Sequence, residues 1–261
     1  MTSGSASSPI PRLVPNPPSR AVQLFGYVAR GVRTVTDQVV PYTAWWDDQN
    51  QTAATGSGPL LVALGDSTAI GIGASAPDRG YIGLLRDALS KSGASLSGES
   101  WRVVNLALSG ARLQDALDRQ VPVALDLAAR GLEPDAVVCC IGTNDLVWGR
   151  DIAKLRLKLG ALAEQLPNGS VVGTLAGASA RGQLANKALR NAAAEHELRL
   201  VETWSEPNPG TGPRLAADRF HPNDLGYQLM VRPFAREFGV AGALTPLAEP
   251  DEVPGSEATE R

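Results

Sequence analysis

From Leu60 onward, short apolar runs alternate with longer stretches of mixed character. Strands read at 60–64, 102–106, 135–141, 170–175 and 198–202. Each is mostly apolar on both faces, as a parallel strand covered on both sides must be. Helices read at about 80–91, 111–129, 151–165, 182–196 and 223–238. Pro122 falls inside the second helix, and its missing amide donor predicts a kink or a split there. Repeated strand–helix units predict an α/β fold: a five-stranded parallel sheet in a doubly wound, three-layer sandwich with right-handed crossovers. No internal repeat is visible.

The N-terminal quarter has a different pattern. Residues 1–19 are rich in serine and proline and read as a disordered tail. Between 20 and 40, Phe25, Val28, Val32, Val35 and Val39 recur at spacings of three and four, which makes one helical stripe. Two explanations fit it: a helix packed on the domain, or a basic amphipathic helix in peripheral contact with a membrane surface or on a partner. Pro41 is expected to end this helix. The Trp45-Trp46 pair is a hinge packing or a pocket wall, and a polar linker runs from Gln49 to Pro59. The expected units are therefore a tail at 1–19, a helix and linker at 20–59, the main domain at 60–240, and an acidic tail at 241–261.

Composition narrows the function. The chain has 261 residues, 43% of them hydrophobic, enough for one large domain with a substantial core. A net charge of −3 argues against a general nucleic-acid binder. The two cysteines, Cys139 and Cys140, are adjacent within an apolar run, so they read as core packing rather than a disulfide framework. No stretch approaches the ~18 apolar residues of a membrane span. The N-terminus has neither a basic start nor an early apolar core, so it does not read as a secretory signal. The chain is read as cytoplasmic, with peripheral membrane or envelope association as the second possibility.

In such a sheet the functional loops gather at the carboxyl ends of the strands. The first strand is followed by Gly65-Asp66-Ser67-Thr68, the second by Ser109-Gly110-Ala111, and the third by Gly142-Thr143-Asn144-Asp145. The loop after the last strand holds Asp218 and His221, about 150 residues beyond the serine. These types are what acyl transfer requires. Ser67 would attack a carbonyl carbon, and a hydroxyl needs a base to take its proton. His221, one of only two histidines, is the candidate base. Asp218 would hold the imidazole in the productive tautomer. The backbone N–H groups of Ser67 and Gly110 and the side-chain amide of Asn144 are candidate donors to the negative oxygen. Leu146-Val147-Trp148, after Asn144, reads as an apolar wall for an acyl chain, and Trp148 reads equally as a cap on the core. His196, between Glu195 and Glu197, reads as a solvated helix end, because no third metal ligand lies nearby in sequence. Asp66 and Asp145 read as loop braces.

These blocks resemble the GDSL or SGNH hydrolase superfamily, over residues 60–238. The matching residues are Ser67 in Gly-Asp-Ser, Gly110 after Asn105, Asn144 in Gly-Thr-Asn-Asp, and Asp218-x-x-His221-Pro222. The resemblance implies a flavodoxin-like sheet, a serine-ester mechanism, and neither metal nor cofactor. It carries over Ser67, Asp218 and His221 as a triad and Gly110 and Asn144 as oxyanion donors. Free thiols and short loops are similar to the small bacterial lipolytic branch. Thr68 departs from the leucine in the family's name, a change that bears on packing more than on chemistry. The order Ser…Asp…His also occurs in α/β-hydrolases, but the Gly-x-Ser-x-Gly elbow is missing and the serine stands on the first strand. The expected substrates are short- to medium-chain carboxylic esters. A thioesterase or lysophospholipase, a carbohydrate deacetylase, and a non-catalytic binding module on the same fold are the alternatives.

Overall fold

The computed structural model describes residues 10–15, 30–93, 99–177, 179–205 and 208–244. The acidic tail, most of the expected N-terminal tail, and Phe25 and Val28 of the helical stripe lie outside the described residues.

The sheet comprises β1 (Leu60–Gly65), β2 (Arg102–Asn105), β3 (Ala136–Cys140), β4 (Val171–Gly173) and β5 (Arg199–Val201), all paired parallel in the order β2-β1-β3-β4-β5. This is the flavodoxin-like order, with its topological switch between β1 and β3. The pleat divides the core. Leu60, Val62 and Leu64 enter one cluster, and Leu61 and Ala63 the other. The first cluster lies under α6 (Val121–Ala129), α8 (Ile152–Gln165) and α9 (Ala180–Glu195). The second lies under α4 (Tyr81–Lys91) and α10 (Asp224–Glu237). Cys139 and Cys140 fall on opposite faces, buried and unpaired, and burial raises the Cys139 thiol to about 12.

Pro122 marks a change of helix geometry. The helical stretch begins as a single turn, α5 (Leu113–Asp115), passes through a π-helical turn at Ala116–Gln120, and becomes regular only at Val121, with proline in the first turn of α6. The backbone stays helical across this join, and the Val121 N–H donates to the Ala116 carbonyl, so the π turn shifts the hydrogen-bond register just where proline brings no N–H. Short α3 (Ser67–Ile70) and α7 (Thr143–Trp148) follow β1 and β3 directly.

The N-terminal region differs from expectation in two places. The break falls at Asp37-Gln38, between α1 (Arg30–Thr36) and α2 (Val39–Thr55), and Pro41 sits inside the first turn of α2 rather than ending a helix. First-turn amides have no partner within the helix, so a proline there loses no hydrogen bond. Second, the stretch expected as a linker from Gln49 is helical as far as Thr55. Its polar residues conceal the helix because part of its packed face is polar: Asn50 is buried and hydrogen-bonded to β2. Val35, Tyr42 and Trp46 join the second core cluster. Residues 10–15 run without regular structure, but Ile10 is buried and its carbonyl accepts from Gln51 Nε2 at 3.0 Å. Among the described residues, no helix is long and apolar enough to cross a membrane.

Candidate active site

The end of β1 sets the first element. Gly65 donates its N–H to Gln120 Oε1 and accepts from Gln120 Nε2, both at 2.9 Å. Gln120 is completely buried, on the π-helical turn. The chain then turns into α3, capped by Asp66, whose Oδ1 accepts from the Thr68 amide at 3.0 Å and the Thr68 hydroxyl at 2.9 Å. Burial holds the Asp66 carboxyl above the ordinary aspartate range, and the Thr68 bonds only partly offset it. Ser67 occupies the first position of α3.

The loop carrying Asp218 and His221 is a tight return. Ala216 N–H donates to the His221 carbonyl at 2.8 Å, and Leu215 bridges Pro222 antiparallel. Asp218 Oδ1 accepts the amides of Phe220 (3.0 Å) and His221 (3.1 Å). Its Oδ2 lies 2.6 Å from His221 Nδ1. On the other side of the ring, His221 Nε2 is 2.9 Å from Ser67 Oγ. A carboxylate only accepts, so Nδ1 carries the proton and Nε2 is left to accept from the serine hydroxyl. Burial pushes the Asp218 carboxyl up. The His221 hydrogen bond and charge, with the two amides, outweigh burial, and the net direction is down. Phe220 stacks edge-on against the imidazole, ring centroids 5.0 Å apart.

The other two loops are fastened to each other. Asn144 Nδ2 donates to the Ala111 carbonyl at 2.9 Å, and Asp145 Oδ2 accepts the Leu113 amide at 2.8 Å. Burial raises the Asp145 carboxyl, against that amide. Ala111 takes one of the two Asn144 amide hydrogens. Gly110 has φ +72, which is why glycine stands there: the space around it is open, and the backbone conformation rather than crowding excludes a side chain.

The expected acyl wall divides. Leu146 turns into the core and lies against Gly177, whereas Val147 and Trp148 stay at the surface, Trp148 60% exposed. Trp46 is a core residue whose indole N–H donates to the Ile70 carbonyl at 2.9 Å. His196 ends α9 partly exposed between exposed Glu195 and Glu197. Among the described residues, no three His, Cys, Asp or Glu side chains gather as a metal site would need.

Two residues that hold this site were given no role from the sequence. Gln120 is one, and its only sequence signal was Pro122 breaking the helix beside it. Asn105 is the other: its Nδ2 donates to the Ala69 carbonyl at 2.8 Å and its Oδ1 accepts the Ala107 amide at 3.1 Å, tying β2 to α3.

Residues 63–229 match the family described as the GDSL-like lipase/acylhydrolase family. Among solved structures, the chain is similar to TesA, at 24% identity and TM-score 0.57 over 68% of this chain and 96% of that one. It is similar to the psychrotrophic esterase EstA from Pseudoalteromonas sp., at 18% identity and TM-score 0.55 over 69% of this chain and 96% of that one. The acetylxylan esterase Axe2 from Geobacillus stearothermophilus matches at 23% identity and TM-score 0.51, over 70% and 95%. At these identities the likeness is one of fold. No curated protein matches the chain. The family match takes in most of the chain, from within β1 to within α10, and leaves α1 and α2 outside it: the chain belongs to the GDSL-like lipase/acylhydrolase family and is a carboxylic ester hydrolase.

Proposed function

We propose that Ser67, His221 and Asp218 act as a Ser-His-Asp triad on short- to medium-chain carboxylic esters, through an acyl-enzyme. The observation that carries this reading is the unbroken series Asp218–His221–Ser67, at 2.6 and 2.9 Å. Ser67 Oγ bonds to the carbonyl carbon as its proton passes to His221 Nε2. The carbonyl π pair moves onto oxygen, facing the Ser67 and Gly110 N–H groups and the second Asn144 amide hydrogen. The tetrahedral intermediate then expels the alcohol, which takes the proton from Nε2. Water repeats the sequence on the acyl-serine and releases the acid. Asp218, held ionised by its bonds, steadies the imidazolium.

Exposed Val147 and Trp148 at the end of α7 supply apolar surface beside Asn144, which favours an acyl chain over a phosphorylated group. The test is a chain-length panel of p-nitrophenyl esters, with acyl thioesters alongside, on the wild type and Ser67→Ala. The proposal expects ester turnover lost in the variant and a phosphonate probe attached at Ser67. Acetate and butyrate esters left untouched by both proteins would sink the substrate assignment. A Ser67 that no phosphonate labels would revive a binding-only role.

A further inference from the structure

Helix α2 lies outside the span matched by the family, yet its side chains grip the segment that follows the serine. Gln38, the N-cap of α2, and Tyr42, Trp46 and Asn50 within it fall at intervals of four, on one helical face. Each bonds to backbone rather than to another side chain. Gln38 Oε1 accepts the Gly73 amide at 2.8 Å, and Gln38 Nε2 donates to the Ala74 carbonyl at 3.0 Å. Tyr42 donates to the same carbonyl at 2.8 Å, Trp46 to Ile70 at 2.9 Å, and Asn50 to Asn105 at 3.0 Å.

The segment so held is the floor under the His221-Pro222 backbone. Gly73 has φ +99, and a Cβ placed on it would meet His221 Cβ at 2.8 Å and collide with the Pro222 carbonyl. From the other side α10 holds the same floor: Tyr227 donates to the Ile72 carbonyl at 2.7 Å, and Asp224 accepts the Ser75 amide at 2.7 Å and hydroxyl at 2.6 Å. But α10 begins just after His221 and so moves with it. Helix α2 is the independent anchor. Through Trp46 it grips the helix that carries Ser67, and through Gln38 the floor that carries His221.

We propose that Gln38 is a positioning residue that sets the His221 ring against Ser67 by clamping the Gly73-Ala74 backbone. This rests on the triad reading above. Its Nε2 and Oε1 satisfy both strands of the clamp at once, and the residue is neutral, so its removal changes geometry without changing charge. The charged groups that face the imidazole are Asp218, from its own loop, and Asp66, from the cap of α3.

The test replaces Gln38 by Met, which keeps length and helix propensity and abolishes both bonds. Gln51→Met is the control: the same residue type, within α2 rather than at its N-cap, bonded to Ile10 and not to the site. Gln38→Met is expected to lower kcat about tenfold with KM unchanged, because small misplacements of reacting groups are costly. Gln51→Met is expected to leave kcat alone at a similar Tm loss. Tyr42→Phe, a milder change, should lower kcat about threefold by loosening the same carbonyl. The two histidines allow a readout without turnover: the His221 ring protons should shift in Gln38→Met while those of His196 stay. A Gln38→Met enzyme within twofold of wild type with unmoved His221 signals overturns the proposal, as does a loss of kcat in both Met variants that merely tracks Tm. A wild type inert toward esters and phosphonate defeats the triad reading instead, and the ring-proton shift then judges the clamp alone.

Discussion

The loops after β1 and after β3 carry equal weight in the family's motif, yet they are built in contrasting ways. From Gly65 to Ser75, side chains from four other elements hold the backbone: Gln120 on the π-helical turn, Asn105 on β2, the α2 stripe, and Tyr227 and Asp224 on α10. The loop after β3 is fastened at its start, through Asn144 and Asp145, and then ends on exposed Val147 and Trp148. Reacting atoms must be held to fractions of an ångström, so the proposed role of Ser67 accounts for a segment held from several sides. The proposed contact with an acyl chain tolerates displacement, which is consistent with apolar surface left open there. The backbone restraints are concentrated around Ser67.

The comparison breaks most visibly at the imidazole. Asp218→Asn should lower kcat by about 10⁴, because an amide favours the wrong tautomer. A loss under tenfold in steady-state kinetics would mean that Asp218 does not orient the ring. The Asp218 carboxyl sits below its ordinary value, so its contribution to stability is complete above that value and is lost as pH falls through the lowered one. Acid unfolding followed by circular dichroism should therefore lose part of its steepness in Asp218→Asn.

Gln120→Leu probes the rigid loop without touching the triad. It leaves the Gly65 amide buried without its partner, at a cost of about 1–3 kcal/mol. The Gly65 carbonyl keeps only the 3.3 Å bond from Leu108. Chemical denaturation should report that loss, and kcat should fall by about an order of magnitude as the Ser67 turn relaxes. Unchanged kcat at reduced stability would make Gln120 a fold residue alone.

On the open side the effects should be smaller and of another kind. Trp148→Ala is expected to raise KM a few-fold for butyrate and longer esters, with kcat and Tm nearly unchanged, because the ring is mostly in solvent. A uniform kcat loss across chain lengths would place Trp148 with the chemistry instead. The smallest effect concerns Asp66. Its raised carboxyl favours the protonated folded state, so its stability contribution is present below the ordinary aspartate value and lost as pH rises through the raised one. Asp66→Asn, which mimics the neutral form, should gain thermal stability over wild type at pH 8 and forfeit the gain near pH 4.

How much of this could be read in advance divides along the same line. Strand positions were legible because a parallel strand buried on both faces must be a continuous apolar run, and each observed strand lies within or at most one residue beyond its expected run. The loops after β1, β2 and β3 were legible as turns because glycine and capping residues punctuate them. Helix α2 was not, beyond its first turn: Asn50, Gln51 and Thr52 look like linker composition, and only the packing makes Asn50 a buried partner of Asn105. Leu146 was grouped with Val147 and Trp148 because adjacency says nothing about which neighbour faces inward.

The sequence by itself determined the layered α/β architecture and put a serine, an amide and an Asp–His pair at strand ends, because periodic burial and strand-end loops are local properties of the chain. Only the tertiary structure decided that Ser67 and His221, 154 residues apart, meet at 2.9 Å, and that Gln38 and Gln120 brace the backbone around them. A side-chain amide bonded to a distant peptide group leaves no trace in composition or period. Its partner exists only after the chain has folded.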